Sequence, residues 1–315
     1  MKITFKGLWK VLKNSFTGFS DDKVMKLSAA LAYYTVFSLG PLLIVIVSLC
    51  SIFFGREAIE GTIYGQIENF VGQDAALQLQ QIIKNAAIGG KGKVTAIIGI
   101  ITLLIGATSM FSEMQESINM IWGLKIKPKK SAWWLLIKTR LLSFGVIVSL
   151  GFLLLVSLVI TGIIEALSNR LKNHFPEVTV ILFYIINLII TFGVISALFA
   201  VIFKVLPDAK IKWKDIMAGA IATAVLFMIG KFAISFYISK SNVGSTYGTA
   251  GSLVVLLIWI YYSSIILYFG AEFTKAYAIK YGNEITPNEY TVIAKTVEVE
   301  QGKKSVQQAE KEMKK

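Results

Sequence analysis

The sequence predicts an all-α, polytopic membrane protein with six transmembrane helices and with its N- and C-termini in the cytoplasm. Three observations predict this class: six long apolar stretches without charge, a one-sided distribution of lysine and arginine between them, and tryptophans concentrated on that same side. Of the 315 residues, 55% are hydrophobic and only 16% are charged. This composition excludes an ordinary water-soluble domain of the same length.

The apolar stretches predict the spans, because a hydrocarbon core of about 30 Å needs roughly 20 apolar residues of helix. Charged residues are absent from Leu27–Gly55, Val94–Ser112, Leu141–Ile164, Val178–Phe203, Ile216–Gly230 and Ser241–Ala271. The fifth stretch reaches the length of a span only when Lys231 is included in its helix. We therefore expect a transmembrane domain over residues 27–282.

Lysine and arginine predict the orientation of these spans. They are concentrated before residue 27 and in the connections 122–140 and 204–214, and they are sparse in the alternate connections. Because positive charge is retained on the cytoplasmic side, these segments and both termini are predicted to be cytoplasmic. The tryptophans on this side, which we interpret as interfacial anchors, are Trp9, Trp122, Trp133, Trp134 and Trp213.

Residues 1–26 predict an amphipathic helix that lies on the inner leaflet. Its apolar residues at helical spacing are Phe5, Leu8, Trp9, Leu12 and Phe16. The basic residues predicted to contact anionic lipid are Lys2, Lys6, Lys10 and Lys13 in this segment and Lys125, Lys127, Lys129 and Lys130 in a cytoplasmic connection. Membrane lipids are therefore the predicted partners. Nucleic acid is not, because no nucleic-acid-binding motif surrounds these lysines.

Two further segments lie outside the spans. Residues 56–93 have apolar residues at helical spacing and predict a helical cap over the outer ends of the helices. From residue 283 to residue 315 the composition changes to glutamate, lysine and glutamine with few apolar residues. We interpret these last residues as a flexible cytoplasmic tail, which is available to an envelope protein partner.

Polar side chains inside the spans are candidate functional residues, because an unpaired polar group in lipid is costly. A lysine at the centre of a span costs about 2.5 to 3.5 kcal/mol on insertion scales. Lys231 either extends its side chain to the outer interface or pairs within a cavity of the bundle. Asn187, near the middle of the fourth span, is predicted to form an interhelical hydrogen bond.

Glu113 and Glu116 follow the second span, and their spacing places both on one face of a continuing helix. They mark either the point where a helix enters water or a pair of carboxylates that lines a proton or cation path. Glu272, at the inner end of the sixth span, has the same two interpretations.

Glycine and proline mark irregular or closely packed positions. Gly40 and Pro41 predict a kink in the first span, and with Tyr33 and Tyr34 this kink permits a transport pathway. In the fifth connection, the glycines predicted to allow a tight turn or close packing are Gly244, Gly248 and Gly251.

Catalysis, cofactors and metal binding are not predicted. Cys50 is the only cysteine and His174 the only histidine. A single residue of each type provides neither an intramolecular disulfide nor a histidine and cysteine set for a metal ion. The sequence therefore favours a protein that is not an enzyme.

Three motifs resemble those of the YihY and virulence factor BrkB family of bacterial membrane proteins. They are SAALAYYTVFSLGPLL at 28–43, LPDAKIKWKDIMAGAIATA at 206–224 and YGTAGSLVVLLIWIYYSSIILYFGAEFTKA at 247–276. The resemblance covers roughly residues 20–280. It implies an inner-membrane protein with six spans and a role in envelope properties. An older ribonuclease label for the family finds no support here, since a metal-dependent nuclease needs clustered histidines and carboxylates.

We therefore hypothesise a bacterial inner-membrane protein that transports or handles an envelope-related lipid or amphiphile. A membrane scaffold for envelope proteins is one alternative. An ion- or proton-coupled carrier is another.

Overall fold

The computed structural model describes residues 4–38, 109–126, 176–241 and 251–294, together with the single residues 77, 145, 153, 156 and 247. Several predictions concern residues outside these ranges and are not tested by the fold. They are the kink at Gly40 and Pro41, the outer cap at 56–93, most of the second span, the third span except for three single residues, Gly244, Gly248, the lysines at 2, 127, 129 and 130, and residues 295–315.

The described part of the chain is mostly helical. Its helices are α1 (Phe5–Asp21), α2 (24–38), α3 (109–121), α4 (Pro176–Val205), α5 (Trp213–Lys240) and α6 (Gly251–Tyr281). Its strands are β1 (Leu124–Ile126), β2 (Ala209–Lys210), β3 (Thr286–Pro287) and β4 (Thr291–Ile293). The predicted helical class is thus confirmed for the described residues, to which four short strands near the helix ends are added.

Among the described residues, three helical segments are long and apolar enough to cross a membrane, namely Ile181–Val205, Trp213–Ile238 and Leu253–Tyr281. They correspond to the fourth, fifth and sixth predicted spans. The second of them includes Lys231, as the short fifth apolar stretch requires.

Local signals in the sequence explain where the helices begin and end. The Thr4 hydroxyl oxygen accepts a hydrogen bond from the Gly7 amide at 3.3 Å and caps α1, which satisfies an amide that lacks a partner within the helix. Lys23 adopts a φ of 52° in the turn between α1 and α2. This left-handed residue interrupts the helical backbone, so α1 ends and α2 begins within two residues.

Helix α6 packs against both α1 and α5, and α5 also packs against α4. The main core includes Tyr268 and Ala271 of α6, Ile216 and Ala220 of α5, and Ile118 of α3. Since α6 contacts helices on both sides, residues in its C-terminal half are enclosed by several elements.

The short strands form two small antiparallel sheets at one end of the bundle, here called the strand end. Strand β1 pairs with β4, with Leu124 opposite Ile293, and β2 pairs with β3, with Ala209 opposite Pro287. The prediction that a flexible tail begins at residue 283 is therefore wrong for residues 283–294. Backbone pairing orders this segment, which the prediction had grouped with the polar residues that follow it.

Helix α1 has a packing face that its amphipathic pattern did not predict. Gly7, Val11 and Ser15 are buried, and Val11 packs against Phe273 and Ala276 of α6. These buried residues are small, so they contribute little to a hydrophobic periodicity. The helix consequently carries three faces, of which one is attached to α6.

The predicted role of Trp122 is corrected by its burial. Trp122 is only 6% exposed, and its indole N–H donates to the Ala271 carbonyl oxygen of α6 at 3.1 Å. It is therefore a core residue that joins α3 to α6, whereas Trp9 and Trp213 are exposed as interfacial anchors would be.

Candidate functional site

The strand end contains two groups of buried polar side chains. The first surrounds Asp208, between α4 and β2, and the second surrounds Glu272, near the end of α6. Both groups are built from residues that are distant in sequence, and the core of the bundle brings them together.

Asp208 is 3% exposed and accepts hydrogen bonds on both carboxylate oxygens. Gln115 Nε2 and Asn119 Nδ2 of α3 donate to its Oδ2 at 3.1 and 2.9 Å, and the Tyr290 hydroxyl donates to its Oδ1 at 2.6 Å. Because these donors belong to α3 and to the segment before β4, Asp208 joins three parts of the chain.

The backbone of Asp208 takes part in the same cluster. Its amide donates to Asn119 Oδ1 at 2.9 Å, and its carbonyl oxygen accepts from the Asn288 amide at 3.0 Å and from the Thr291 hydroxyl at 2.9 Å. A buried carboxylate with this many donors is typical of a structural site. We interpret the Asp208 cluster as the anchor of residues 286–293.

Glu272 is the more unusual residue, because it is 2% exposed and its Oε1 has no hydrogen-bond partner among the described residues. The Lys275 ammonium lies 3.8 Å from Glu272 Oε2 and 3.6 Å from Asp22 Oδ2. Two carboxyl groups therefore face one ammonium group, with Glu272 buried and with Asp22 and Lys275 partly exposed.

Helix α1 forms one wall of this site. A Cβ atom added to Gly18 would lie 2.5 Å from Glu272 Oε2, so the missing side chain at this position leaves the space that the carboxyl group occupies. Lys275 also donates a short hydrogen bond to the Ile121 carbonyl oxygen at the end of α3. The site thus lies where α1, α3 and α6 meet.

One turn earlier on α6, the Tyr268 hydroxyl is fully buried and has no hydrogen-bond partner within the described ranges. Ser117 and Glu113 of α3 lie close to it. Ser117 Oγ also donates to Glu113 Oε1 at 3.4 Å. Polar groups therefore continue along the contact between α3 and α6 beyond Glu272.

Glu113 and Glu116 differ in environment, although the prediction placed them on one face. Glu116 is exposed and Glu113 is half-buried. Both lie just beyond the second apolar stretch, where burial, followed by the charge of Glu116, raises the pKa of the Glu113 carboxyl above its ordinary value. Their predicted role in a proton or cation path remains a prediction.

The other predicted site residues are spread along the bundle. Lys231 is half-buried on α5, next to Gly230, which faces Tyr262 and Ile266 of α6. Tyr33 and Tyr34 are exposed on α2 with their rings in edge contact at 5.6 Å. The described part of the chain does not place these residues in one cluster.

Asn187 and Gly251 have simpler environments. Asn187 is exposed, and its Oδ1 accepts a weak hydrogen bond at 3.5 Å from Thr191, one turn along the same helix. The interhelical bond expected for Asn187 therefore remains a prediction. Gly251 is buried and begins α6.

A groove of about 560 Å³ opens at the strand end next to Glu272. Lys275 lies in its wall together with Trp122, and the exposed Ile279 and Ile293 line its apolar part. Since Lys275 contacts both the groove and Glu272, it connects the buried carboxyl to an open surface.

The sequence indicated Glu272 but missed its partners. Asp22 and Lys275 stand among other charged residues in the sequence, and Asp208 lies in a connection where a carboxylate is unremarkable. The described residues also contain no group of three or more histidine, cysteine, aspartate and glutamate side chains placed to bind a metal ion.

Comparison with known proteins gives a consistent set of relatives. A family model described as Virulence factor BrkB matches residues 15–291. A UPF0761 membrane protein of Stenotrophomonas maltophilia is 28% identical over 265 residues, which cover 82% of this chain and 59% of the relative. One of Vibrio vulnificus is 26% identical over 267 residues, which cover 82% and 79%. One of Pseudoalteromonas translucida is 28% identical over 263 residues, which cover 81% of each.

The chain thus spans less than two thirds of the length of the Stenotrophomonas relative. No solved structure matches the chain significantly. With several membrane-length helices and relatives that are named membrane proteins, the chain is a multi-pass membrane protein.

Proposed function

The chain belongs to the Virulence factor BrkB family, and from this premise we propose that it is a non-enzymatic protein of the bacterial inner membrane that handles an anionic lipid or a related amphiphile. The proposal includes six spans, an interfacial N-terminal helix and both termini in the cytoplasm. The lipid is bound or moved at the inner leaflet, beside the inner half of the bundle.

The meeting of segments at the strand end supports this topology. The segment after α3, the connection between α4 and α5 and the segment after α6 pair there as short strands, and the Tyr281 hydroxyl donates to the Thr4 carbonyl oxygen beside α1 at 3.2 Å. Positive charge independently predicts a cytoplasmic location for each of these segments. The strand end is therefore the cytoplasmic end in this proposal.

The observation that carries the proposal is the arrangement of faces on α1. Its small residues pack against α6, while Phe5, Trp9 and Phe16 are all more than 60% exposed. The exposed basic residues on the third face are Lys6, Lys10 and Lys13. An apolar face beside a basic face is typical of a helix in contact with an anionic leaflet.

Because α1 is attached to α6, a lipid that contacts α1 also lies beside the helix bundle. Phe16 and Phe269 of α6 have ring centroids 4.9 Å apart, so the apolar face of α1 lies directly beside a membrane-length helix. A lipid beside α1 would have its headgroup near the lysines and its acyl chains near the exposed aromatic rings of α1. Each lysine near an anionic surface contributes about 1 kcal/mol to the attraction.

The experiment is a transbilayer movement assay on the full chain in vesicles that contain a fluorescent anionic lipid. We expect faster movement than in protein-free vesicles, and slower movement when Lys6, Lys10 and Lys13 are all replaced by glutamine. Replacement of the same residues by arginine is the matched control, because it preserves charge. Movement no faster than in protein-free vesicles would contradict the proposal.

The candidate pathway residues receive a separate test. Replacing Lys231 by methionine and Glu113 by glutamine, each alone, should reduce lipid movement if these side chains line the route. Asn187→Ala belongs to the same series. If none of these changes alters movement, lipid handling at α1 does not use a path through the bundle.

A membrane scaffold is the second candidate, and the groove at the strand end favours it. Ile279 and Ile293 are 74% and 68% exposed in that groove, which provides an apolar surface for a protein partner. Under this candidate, Ile279→Asp disrupts a specific complex in cells and leaves lipid movement unchanged.

A further inference from the structure

We propose that Glu272, together with Asp22 and Lys275, forms a proton-binding site between α1 and the strand end of α6. The site goes beyond the lipid-handling role and does not depend on it. Its ligand is a single proton, which Glu272 holds and which exchanges with water through the partly exposed Asp22 and Lys275 side chains.

The first argument is the proximity of two carboxyl groups. The Lys275 ammonium lies 3.6 Å from an Asp22 carboxylate oxygen and 3.8 Å from a Glu272 carboxylate oxygen, so the two carboxyl groups lie next to the same cation. Two ionised carboxylates this close repel each other, and a proton on one of them removes the repulsion. The geometry therefore favours a proton on one of the two groups.

The second argument is the shortage of positive charge. Lys275 is the ammonium group that faces both carboxyl groups, at 3.6 and 3.8 Å, and these distances exceed those of a direct charged hydrogen bond. Asp21 at the end of α1 adds further negative charge near Glu272. Gly18 on α1 and the Ile121 carbonyl on α3 contribute no positive charge.

The third argument is the burial of the group that takes the proton. The side chains of Asp22 and Lys275 are 27% and 29% exposed, whereas that of Glu272 is 3% exposed. Glu272 Oε1 has no hydrogen-bond partner in the described part of the chain, and an ionised carboxylate without donors is poorly stabilised away from water. Glu272 is therefore the residue that is neutral when the proton is bound.

Access to the site is provided by Asp22 and Lys275. Lys275 lies in the wall of the groove, and Asp22 is partly exposed, so water can reach both side chains. When the proton leaves Glu272, it passes to Asp22 or to this water, and the ionised Glu272 then faces the Lys275 ammonium. Each step moves one proton and leaves the total charge balanced.

Infrared spectroscopy of the full chain in lipid nanodiscs tests the proposal, because a protonated carboxyl group has a C=O band separate from that of a carboxylate. We expect the wild-type protein to show such a band at neutral pH, where exposed carboxyl groups are ionised. The band should be lost in Glu272→Gln, and Asp22→Asn should shift it. The matched control is Glu284→Gln, which removes an exposed carboxyl group from the segment after α6 and should leave the band unchanged.

Two outcomes overturn the proposal. One is the absence of the band in the wild-type protein from mildly acidic to neutral pH, and the other is a band that persists in Glu272→Gln. If that variant does not fold, Glu272→Asp replaces it and should retain the band at a shifted frequency. Since no lipid movement is measured, a negative result here leaves the lipid-handling proposal standing, and the reverse also holds.

Discussion

Gly219 of α5 lies directly against Thr274 of α6, and Gly270 of α6 lies in the same way against Thr223 of α5. A Cβ atom on Gly219 would lie 2.8 Å from Thr274 Cβ, and one on Gly270 would lie 2.7 Å from Thr223 Cγ2. Each threonine hydroxyl donates at 2.7 Å to the carbonyl of the glycine that precedes it by one turn. The two helices therefore pack closely with their hydroxyl groups satisfied.

Gly219→Ala should destabilise the protein by about 1 to 3 kcal/mol, because the added methyl group overpacks this contact. The measurement is the thermal unfolding midpoint in detergent. Gly193→Ala on α4 is the matched control, since Gly193 is exposed and a Cβ there has nothing within 4 Å. Adding Thr274→Ala to Gly219→Ala should recover part of the loss, and strictly additive losses would contradict the contact.

Asp208→Asn should cost about 1 to 3 kcal/mol and loosen residues 286–293, because an amide N–H₂ would replace an oxygen that accepts hydrogen bonds. Hydrogen exchange of this segment should become faster. Glu284→Gln, an exposed change in the same segment, should have no such effect. Tyr290→Phe should have a smaller effect, as it removes a single donor. Unchanged exchange in Asp208→Asn would mean that the cluster does not anchor the segment.

Truncation after Gly282 should destabilise the protein more than truncation after Ala294. The first removes β3 and β4 and leaves Asp208 without the Tyr290 hydroxyl, whereas the second keeps both strand pairs. Detergent stability of the two truncated proteins provides the measurement. Equal stability would show that pairing of residues 286–293 contributes little to the fold.

Lipids with brominated acyl chains should quench Trp9 fluorescence in reconstituted protein, since Trp9 is 66% exposed on the apolar face of α1. The quenched fraction should therefore fall in Trp9→Phe. Trp122→Phe is the control. Because Trp122 is buried, its removal takes away a tryptophan that lipid does not reach, and the quenched fraction should not fall. A quenched fraction that does not change in Trp9→Phe would place α1 away from the acyl chains.

Labelling of single cysteines should distinguish the two sides of the membrane. In a Cys50→Ala background, a maleimide that does not cross membranes should label Lys91→Cys in intact cells, because residue 91 lies in the predicted outer connection. Lys125→Cys, at the exposed strand β1, should be labelled only after permeabilisation. The opposite pattern would invert the proposed topology.

Several features could be predicted from the sequence because they depend on local composition. The amphipathic pattern of α1 and the membrane length of α4, α5 and α6 follow from which residues are apolar and how they are spaced. Glu272 was indicated for the same reason, since a carboxylate at the end of an apolar stretch stands out. Local patterns did not indicate the attachment of α1, because Gly7 and Ser15 pack through small size and carry no hydrophobic signal.

The C-terminal segment shows why composition alone did not predict the order of residues 283–294. Residues 283–294 precede a polar segment and were grouped with it, but backbone hydrogen bonds and the Asp208 cluster order them, and both depend on other parts of the chain. Trp122 was misinterpreted for a related reason. A tryptophan at the end of a span can face lipid headgroups or pack against a neighbouring helix. The hydrogen bond from the Trp122 indole to the Ala271 carbonyl oxygen shows that Trp122 does the second.

The sequence by itself determined that the chain resides in a membrane, since transfer of apolar side chains out of water depends on their number and order alone. Tertiary structure decided which polar residues share a site. Glu272, Asp22 and Lys275 form a site only because α1 packs on α6 and Gly18 leaves room for a carboxyl group. Electrostatic interactions depend on distance and burial, and these quantities exist only after the helices have packed.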